Sequence, residues 1–206
     1  MLAKRIWLYR HAESLSTAGE RTLDVRLIPL SEKGRAQAAS LAASIEEPPH
    51  GIITSPFLRA AQTALPIKAR FDAAATDVWR IEEFTYLDPA SCVGTSWVER
   101  KPRVDAYWAR LDPDHVDGPG AESFRDLLAR ARAFLDRLAA IDRPLTLIVS
   151  HGQFMQAAKL LTEAPDMSAM DVMARFREEQ TRQPFANCER LRMTVDDGGV
   201  AVEGRG

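Results

Sequence analysis

The chain has 206 residues, of which 46% are hydrophobic and 27% charged, with a formal net charge of −2. That length suits one domain able to bury a substantial core without a metal or disulfide staple. The charge argues against nucleic acid as a partner, no apolar run approaches the roughly 20 residues of a membrane span, and two distant cysteines, Cys92 and Cys188, suit a reduced cytoplasmic protein. Lys4 and Arg5 are not followed by the apolar run of a secretory leader, so none is expected.

In chain order, Arg5–Tyr9 is predicted as a strand, because Ile6, Trp7, Leu8 and Tyr9 are bulky and strand-favouring. A loop follows to about Leu30. Ser31 then caps a helix, "SEKGRAQAASLAASI", which Pro48, Pro49 and Gly51 end. "GIITS" (51–55) is a short buried strand, and Ser55-Pro56 reads as the N-cap and first residue of a second helix, "FLRAAQTALPIKARF". "TDVWRIEEF" (76–84) reads as a further strand. Residues 85–120, rich in proline and glycine, read as a lid-like insertion with a helical stretch around 103–111. "ESFRDLLARARAFLDRLAAI" (122–141) is a strongly amphipathic helix, and "LTLIVS" (145–150) is the continuous apolar strand of a parallel sheet. A helix opens at Gly152, and "ERLRMTVDDGGVAVE" reads as a hairpin around Asp197-Gly198-Gly199. Alternating strands and helices imply an α/β fold, a three-layer α/β/α sandwich with a mostly parallel central sheet.

Charged side chains gather where these strands end. The first strand runs into Arg10-His11, the 145–150 strand into Ser150-His151-Gly152, the 76–81 strand into Glu82-Glu83, and the 51–54 strand into a helix whose first turn holds Arg59. Open α/β sheets bind ligands in the crevice at those carboxyl ends. One site with two arginines, two histidines and a glutamate fits phosphoryl transfer to a histidine. Guanidiniums grip phosphate oxygens bidentately, and helix N-termini add backbone N–H groups. An imidazole attacks phosphorus only when neutral, and neighbouring arginines favour that form. The leaving alkoxide needs a proton, which a carboxyl beside a dianion can supply.

Arg10-His11-Ala12-Glu13-Ser14, Ser55-Pro56-x-x-Arg59-Ala60-x-Gln62-Thr63-Ala64, Glu83 and Ser150-His151-Gly152 together resemble the histidine phosphatase superfamily, also called phosphoglycerate-mutase-like. "LSEKGRAQA" (30–38) and "GAESFRDLLAR" (120–130) resemble its first helix and its G-x-E-S motif. The resemblance covers nearly the whole chain. It implies His11 as the phosphorylated nucleophile, Arg10, Arg59 and a cationic His151 as the phosphate clamp, and Glu83 as the proton donor, with no metal or organic cofactor.

This sequence departs from the family pattern in three places. Ala12 stands where glycine is usual. Thr17 stands where an asparagine is common, so Ser14 is expected to supply that phosphate contact. "EEFTYLDP" lacks the usual glycine after the donor glutamate, leaving Glu82 as an alternative to Glu83. Neighbouring strand residues face opposite ways, so only one can serve. The expected activity is hydrolysis of a small phosphomonoester, with a phosphorylated metabolite or a phosphohistidine protein as the partner. The alternatives are mutase-type phosphoryl transfer and a phosphate-binding regulatory protein without turnover. Tyr86, Trp97, Arg100 and Arg103 are expected at the entrance. His50 and His115 read as loop residues, and Asn187 is given no role.

Overall fold

The computed structural model describes residues 3–21 and 23–206, and among these the chain forms six strands and seven helices. The strands are β1 (Lys4–Arg10), β2 (Gly51–Thr54), β3 (Ala75–Val78), β4 (Leu145–Ser150), β5 (Arg190–Asp196) and β6 (Gly199–Arg205), in one sheet ordered β3-β2-β4-β1-β5-β6. The first four in that order are parallel, and β5 and β6 complete the sheet antiparallel. Every residue of β4 is buried, as its apolar run requires for a strand covered on both faces.

The helices are α1 (Glu32–Ser44), α2 (Leu58–Arg70), α3 (Pro89–Cys92), α4 (Trp97–Arg110), α5 (Phe124–Ala139), α6 (Gly152–Glu163) and α7 (Ala169–Arg182). Side chains alternate across the sheet, so the inner strands β1, β2 and β4 feed two cores. Ile52, Leu147 and Val149 meet Leu41, Ile45, Ala64 and Ile67 of α1 and α2 on one face. Ile6, Leu8, Ile53 and Ile148 meet α5, α6 and α7 on the other, through residues such as Leu128, Phe154 and Met173. The three layers follow. α5 starts at a reciprocal cap in which Ser123 and Asp126 satisfy each other's backbone N–H groups, and it buries Phe124, Leu127, Leu128, Ala131, Phe134 and Leu138. Burying one such leucine or phenylalanine stabilises the fold by about 1.5–3 kcal/mol, so Leu128→Ala would both lose that and leave a cavity.

Five elements differ from the sequence reading, one of them the short helix α3, which the sequence does not signal. β3 stops at Val78 as an exposed edge strand. Trp79 and Ile81 instead turn into the α5 side of the core, and the Ile81 carbonyl accepts from Ser150 Oγ at 2.6 Å. Glu82 and Glu83 therefore lie on coil beyond the strand, not at its end. α2 begins at Leu58 with Phe57 as its N-cap and no side-chain cap. Ser55 is engaged elsewhere, as described below. α4 starts at Trp97, earlier than the expected helical stretch, and α7 was not anticipated. The 85–120 segment is tied into the main body: Val104, Tyr107 and Trp108 of α4 join the α5–α7 core, with Trp108 stacked on Phe176 at 5.6 Å.

Candidate active site

Strand register places the two histidines. β1 and β4 are parallel neighbours with Arg10 opposite Ser150, and the His11 N–H donates to the Ser150 carbonyl at 2.9 Å. His11 and His151 therefore leave adjacent strands side by side, with ring centroids 5.0 Å apart. β2 flanks β4 on its other edge, and Ser55 follows it with its N–H on the Val149 carbonyl at 3.0 Å. Its hydroxyl lies 2.7 Å from His151 Nε2 and accepts from the Phe57 N–H at 3.2 Å, ahead of the start of α2.

His11 is oriented at both ring nitrogens. Nδ1 lies 2.7 Å from the Ala12 carbonyl, which can only accept, so Nδ1 carries the proton. Nε2 is then the bare nitrogen, and it accepts from Arg59 Nε at 3.1 Å. Burial first, then the charges of Arg59 and Arg10, holds the His11 pKa well below the ordinary histidine value. In the neutral tautomer the Nε2 lone pair is held by Arg59 and is released to the cleft when that guanidinium turns to another acceptor. Burial and Arg59 lower His151 in the same way. That direction favours the neutral form of His151, whereas the resemblance implies a cation. It is fully buried behind the cleft surface, against Phe57, and its Nδ1 has no hydrogen-bond partner among the described residues.

Arg59 sits in the first turn of α2, 7% exposed, its Nη1 on the Val25 carbonyl at 2.7 Å. Burial pulls its pKa down to about 10, against the opposing charge of Glu83. Arg10 donates Nη1 to the Phe185 carbonyl, while its Nε is buried without a partner among the described residues. A buried donor left unpaired is costly unless something accepts from it.

The two glutamates separate clearly. Glu83 shares a cleft of about 690 Å³ with Arg10, His11, Ser14 and Arg59, whereas Glu82 lines a neighbouring hollow with Glu122 and Arg130. Glu83 Oε1 accepts from the backbone N–H groups of Phe84 (3.0 Å) and Gln153 (3.1 Å). Desolvation raises its pKa despite the opposing pull of Arg59 and Arg10, which suits a carboxyl that must hold a proton near neutrality.

Part of the N–H set at the helix N-termini is already engaged within the chain. The Gln153 N–H of α6 binds Glu83, the Phe57 N–H binds Ser55 Oγ, and the Leu58 N–H binds the Arg26 carbonyl. Ser14 is buried on the cleft, its hydroxyl 3.0 Å from that of Thr17. Tyr86, Trp97 and Arg100 also line the cleft, but Arg103 does not; it pairs with Asp117 at 2.6 Å. Cys92 and Cys188 are both free thiols. Among the described residues no group of three or more His, Cys, Asp or Glu is placed to hold a metal ion, and no helix is long and apolar enough to cross a membrane.

Three supports escaped the sequence reading. Asn187 Nδ2 donates to the His11 carbonyl at 2.9 Å. Thr63 Oγ1 accepts from the Ala12 N–H at 3.0 Å. Arg130 grips Glu122 at 2.6 and 3.1 Å and donates to the Glu82 carbonyl at 3.1 Å, bracing the coil that carries Glu83. The Ser123–Asp126 cap explains why a helix starts at the G-x-E-S motif, but not the glutamate within it. The Asn187, Thr63 and Arg130–Glu82 contacts span dozens of residues or more and run to backbone, so side-chain spacing gave no signal for them; Arg130 and Glu122 are only eight residues apart, but on a loop and a helix rather than at a helical spacing.

The sequence matches the family model described as "Histidine phosphatase superfamily (branch 1)" over residues 6–202. No curated protein matches it. Among solved structures, the chain is similar to a mycobacterial glucosyl-3-phosphoglycerate phosphatase, with 23% identity, 98% of this chain and 97% of that one covered, and a TM-score of 0.72. It is also similar to the alpha-ribazole phosphatase of Shigella flexneri (18%, 97% and 94%, 0.74). A third is the phosphoserine phosphatase of Entamoeba histolytica in complex with 3-phosphoglyceric acid (18%, 98% and 96%, 0.74). At these identities the likeness is one of fold.

Proposed function

The chain belongs to the histidine phosphatase superfamily, branch 1, and from that premise we propose that it hydrolyses a small phosphomonoester through a phosphohistidine on His11. The observation that carries the reading is the bare Nε2 of His11, fixed by the Nδ1 contact to Ala12 and facing a cleft that also holds Arg10, Arg59 and Glu83.

In the first step Nε2 attacks phosphorus and a P–N bond forms as the P–O bond to the alcohol breaks. The departing oxygen takes the bond's electrons and a proton from Glu83. Arg59 Nε leaves Nε2 for a phosphoryl oxygen, and Arg10 Nε gains the acceptor it lacks. Burial is the first cause that disfavours a charged His151 and Arg59 and Arg10 add to it; the incoming dianion offsets the guanidiniums and so shifts His151 toward its protonated form. In the second step water attacks the phosphohistidine and gives a proton to Glu83. The P–N bond breaks, its electrons return to Nε2, and inorganic phosphate leaves.

Hydrolysis of p-nitrophenyl phosphate by the wild type and by His11→Ala tests this directly. The variant should be at least about a hundredfold slower. Equal rates would remove His11 from the mechanism. With 3-phosphoglycerate primed by 2,3-bisphosphoglycerate, net phosphate release supports hydrolysis, and isomerisation without release would assign the chain to phosphoryl transfer between positions instead.

A further inference from the structure

We propose that the alcohol released by this site is apolar: the cleft takes the phosphomonoester of an aliphatic or aromatic alcohol in preference to that of a sugar, a hydroxy acid or a second phosphate. The inference rests on the phosphatase reading and assigns the other half of the substrate.

The cleft is divided. Its charged side chains gather at the floor, where Arg10, His11, Arg59 and Glu83 surround the phosphoryl position. Its volume of about 690 Å³ lies in the range of about 300–1,000 Å³ that holds a whole small organic ligand, far more than a phosphoryl group fills. The remaining wall comes from the 84–104 segment and presents Phe84, Tyr86, Leu87, Trp97 and Val98. Val25, Ile28 and Phe57 face the same space from the loop before α1 and the turn before α2.

Ser16, Thr85 and Gln153 also line the cleft, but charged groups in its outer part are few. Among the described lining residues there is no lysine and no aspartate, and Glu83 is the one carboxylate. Arg100 is the one cation beyond the floor, and its Nη1 already donates to the carbonyl and hydroxyl of Thr95 at 3.0 and 3.3 Å. The Thr17 hydroxyl is engaged with Ser14. A polyol or carboxylate seated against the apolar wall would lose its water and recover only part of its hydrogen bonding, a cost of a kind that apolar groups do not incur.

The rim gives an independent observation. Trp97 and Val98 are adjacent in the first turn of α4 and are 51% and 75% exposed. Single exposed apolar residues are ordinary, but these two stand together on the edge of the cleft. They are also held in place. Ser96 and Glu99 cap one another at the helix start. Arg21 donates to the Gly94 carbonyl at 2.6 Å and to Glu99 at 2.7 Å, stitching the rim to the loop on the opposite side. An apolar edge fixed in this way lengthens the apolar wall, so an alkyl chain or ring leaving the floor stays covered.

The test uses ethyl, butyl and hexyl phosphate against glycerol 1-phosphate and 3-phosphoglycerate. Among the alkyl esters the leaving alkoxides are of nearly equal basicity, so kcat/KM reads binding of the alcohol part. Each methylene that is covered should raise it roughly threefold to fourfold, giving hexyl at least about a tenfold advantage over ethyl. Trp97→Ala should compress the hexyl-to-ethyl ratio. A flat ratio, or a preference for glycerol 1-phosphate or 3-phosphoglycerate, would overturn the proposal while leaving the phosphatase reading intact. If no ester is hydrolysed at all, that reading fails, and calorimetry with hexylphosphonate and ethylphosphonate still decides this one. Tighter hexylphosphonate binding with a negative heat-capacity change supports it, and equal affinities overturn it.

Discussion

Gly34 is the position at which one methyl group should reach the active site through the backbone. It lies in the first turn of α1, and a Cβ built there would stand 1.9 Å from the Glu13 carbonyl oxygen and 2.9 Å from its carbon. Ordinary contact begins near 3.4 Å. Gly34→Ala therefore requires about 1.5 Å of separation between α1 and the backbone two residues beyond His11. The Glu13 carbonyl also accepts from the Ser31 N–H at 3.0 Å, and that bond is lost as the two move apart. Overpacking of this kind costs about 1–3 kcal/mol and the hydrogen bond about 1 kcal/mol. Alanine's better helix propensity returns at most about 1 kcal/mol. The expected net loss is about 1–3 kcal/mol in urea denaturation. Any displacement passed on to His11 should show as a fall in kcat/KM, since misplacing a catalytic group by about 1 Å costs on the order of 10²-fold. Ala36→Gly, on the exposed side of the same helix, is the control: it weakens the helix without touching the loop. The reasoning is refuted if Gly34→Ala is as stable as the wild type and equally active.

Three further outcomes are expected. Both His11 and His151 are held below the ordinary histidine value in the folded chain, so the unfolded chain binds more protons below about pH 6.5. Their contribution is fully present above that pH and is lost as pH falls toward the folded-state values, at up to about 1.4 kcal/mol per pH unit for each histidine. Urea midpoints at pH 7.5 and 5.5 should show this loss, and inorganic phosphate or the double variant His11→Asn/His151→Asn should lessen it; an equal slope in all three samples would count against it. Asn187→Ala removes the donor that holds the His11 carbonyl, so kcat/KM should fall about fivefold to tenfold at nearly unchanged thermal stability, and an unchanged kcat/KM would show that the contact does not position His11. Glu83→Gln should slow alkyl phosphates by about 10²–10⁴-fold and p-nitrophenyl phosphate far less, because nitrophenolate departs without a proton. Equal losses on both substrates would deny Glu83 the role of donor.

The parts of the fold legible in the sequence are those where one signal is strong and local. β4 is a buried apolar run, α5 has a clean amphipathic period, and the Asp197-Gly198 turn marks the β5–β6 hairpin. The site was legible because its residues follow strand ends, and parallel pairing brings such ends together whatever lies between them in the chain. Where several functions compete for one residue, sequence reasoning went astray. Ser55-Pro56 has the form of a helix cap, but the Ser55 hydroxyl holds the Phe57 N–H and His151 together, and the helix starts only at Leu58. "TDVWRIEEF" has strand-forming residues throughout, but Trp79 and Ile81 gain more by entering the core than by extending an exposed edge strand. α7 buries only a narrow stripe, Val172, Met173 and Phe176, within an otherwise charged segment, too little periodicity to stand out. The choice between Glu82 and Glu83 depended on which way a coil turns, and the Arg130 brace that bears on that coil is a tertiary contact.

The most direct measurement is to catch the phosphoryl group on the enzyme. Wild type mixed with p-nitrophenyl phosphate and quenched in alkali, where a phosphohistidine survives, should carry one phosphoryl group, and peptide fragmentation should place it on His11. The group should be absent from His11→Ala. A phosphoryl group found on His151 or any other residue, or turnover with no covalent intermediate under conditions that trap one, would contradict the mechanism.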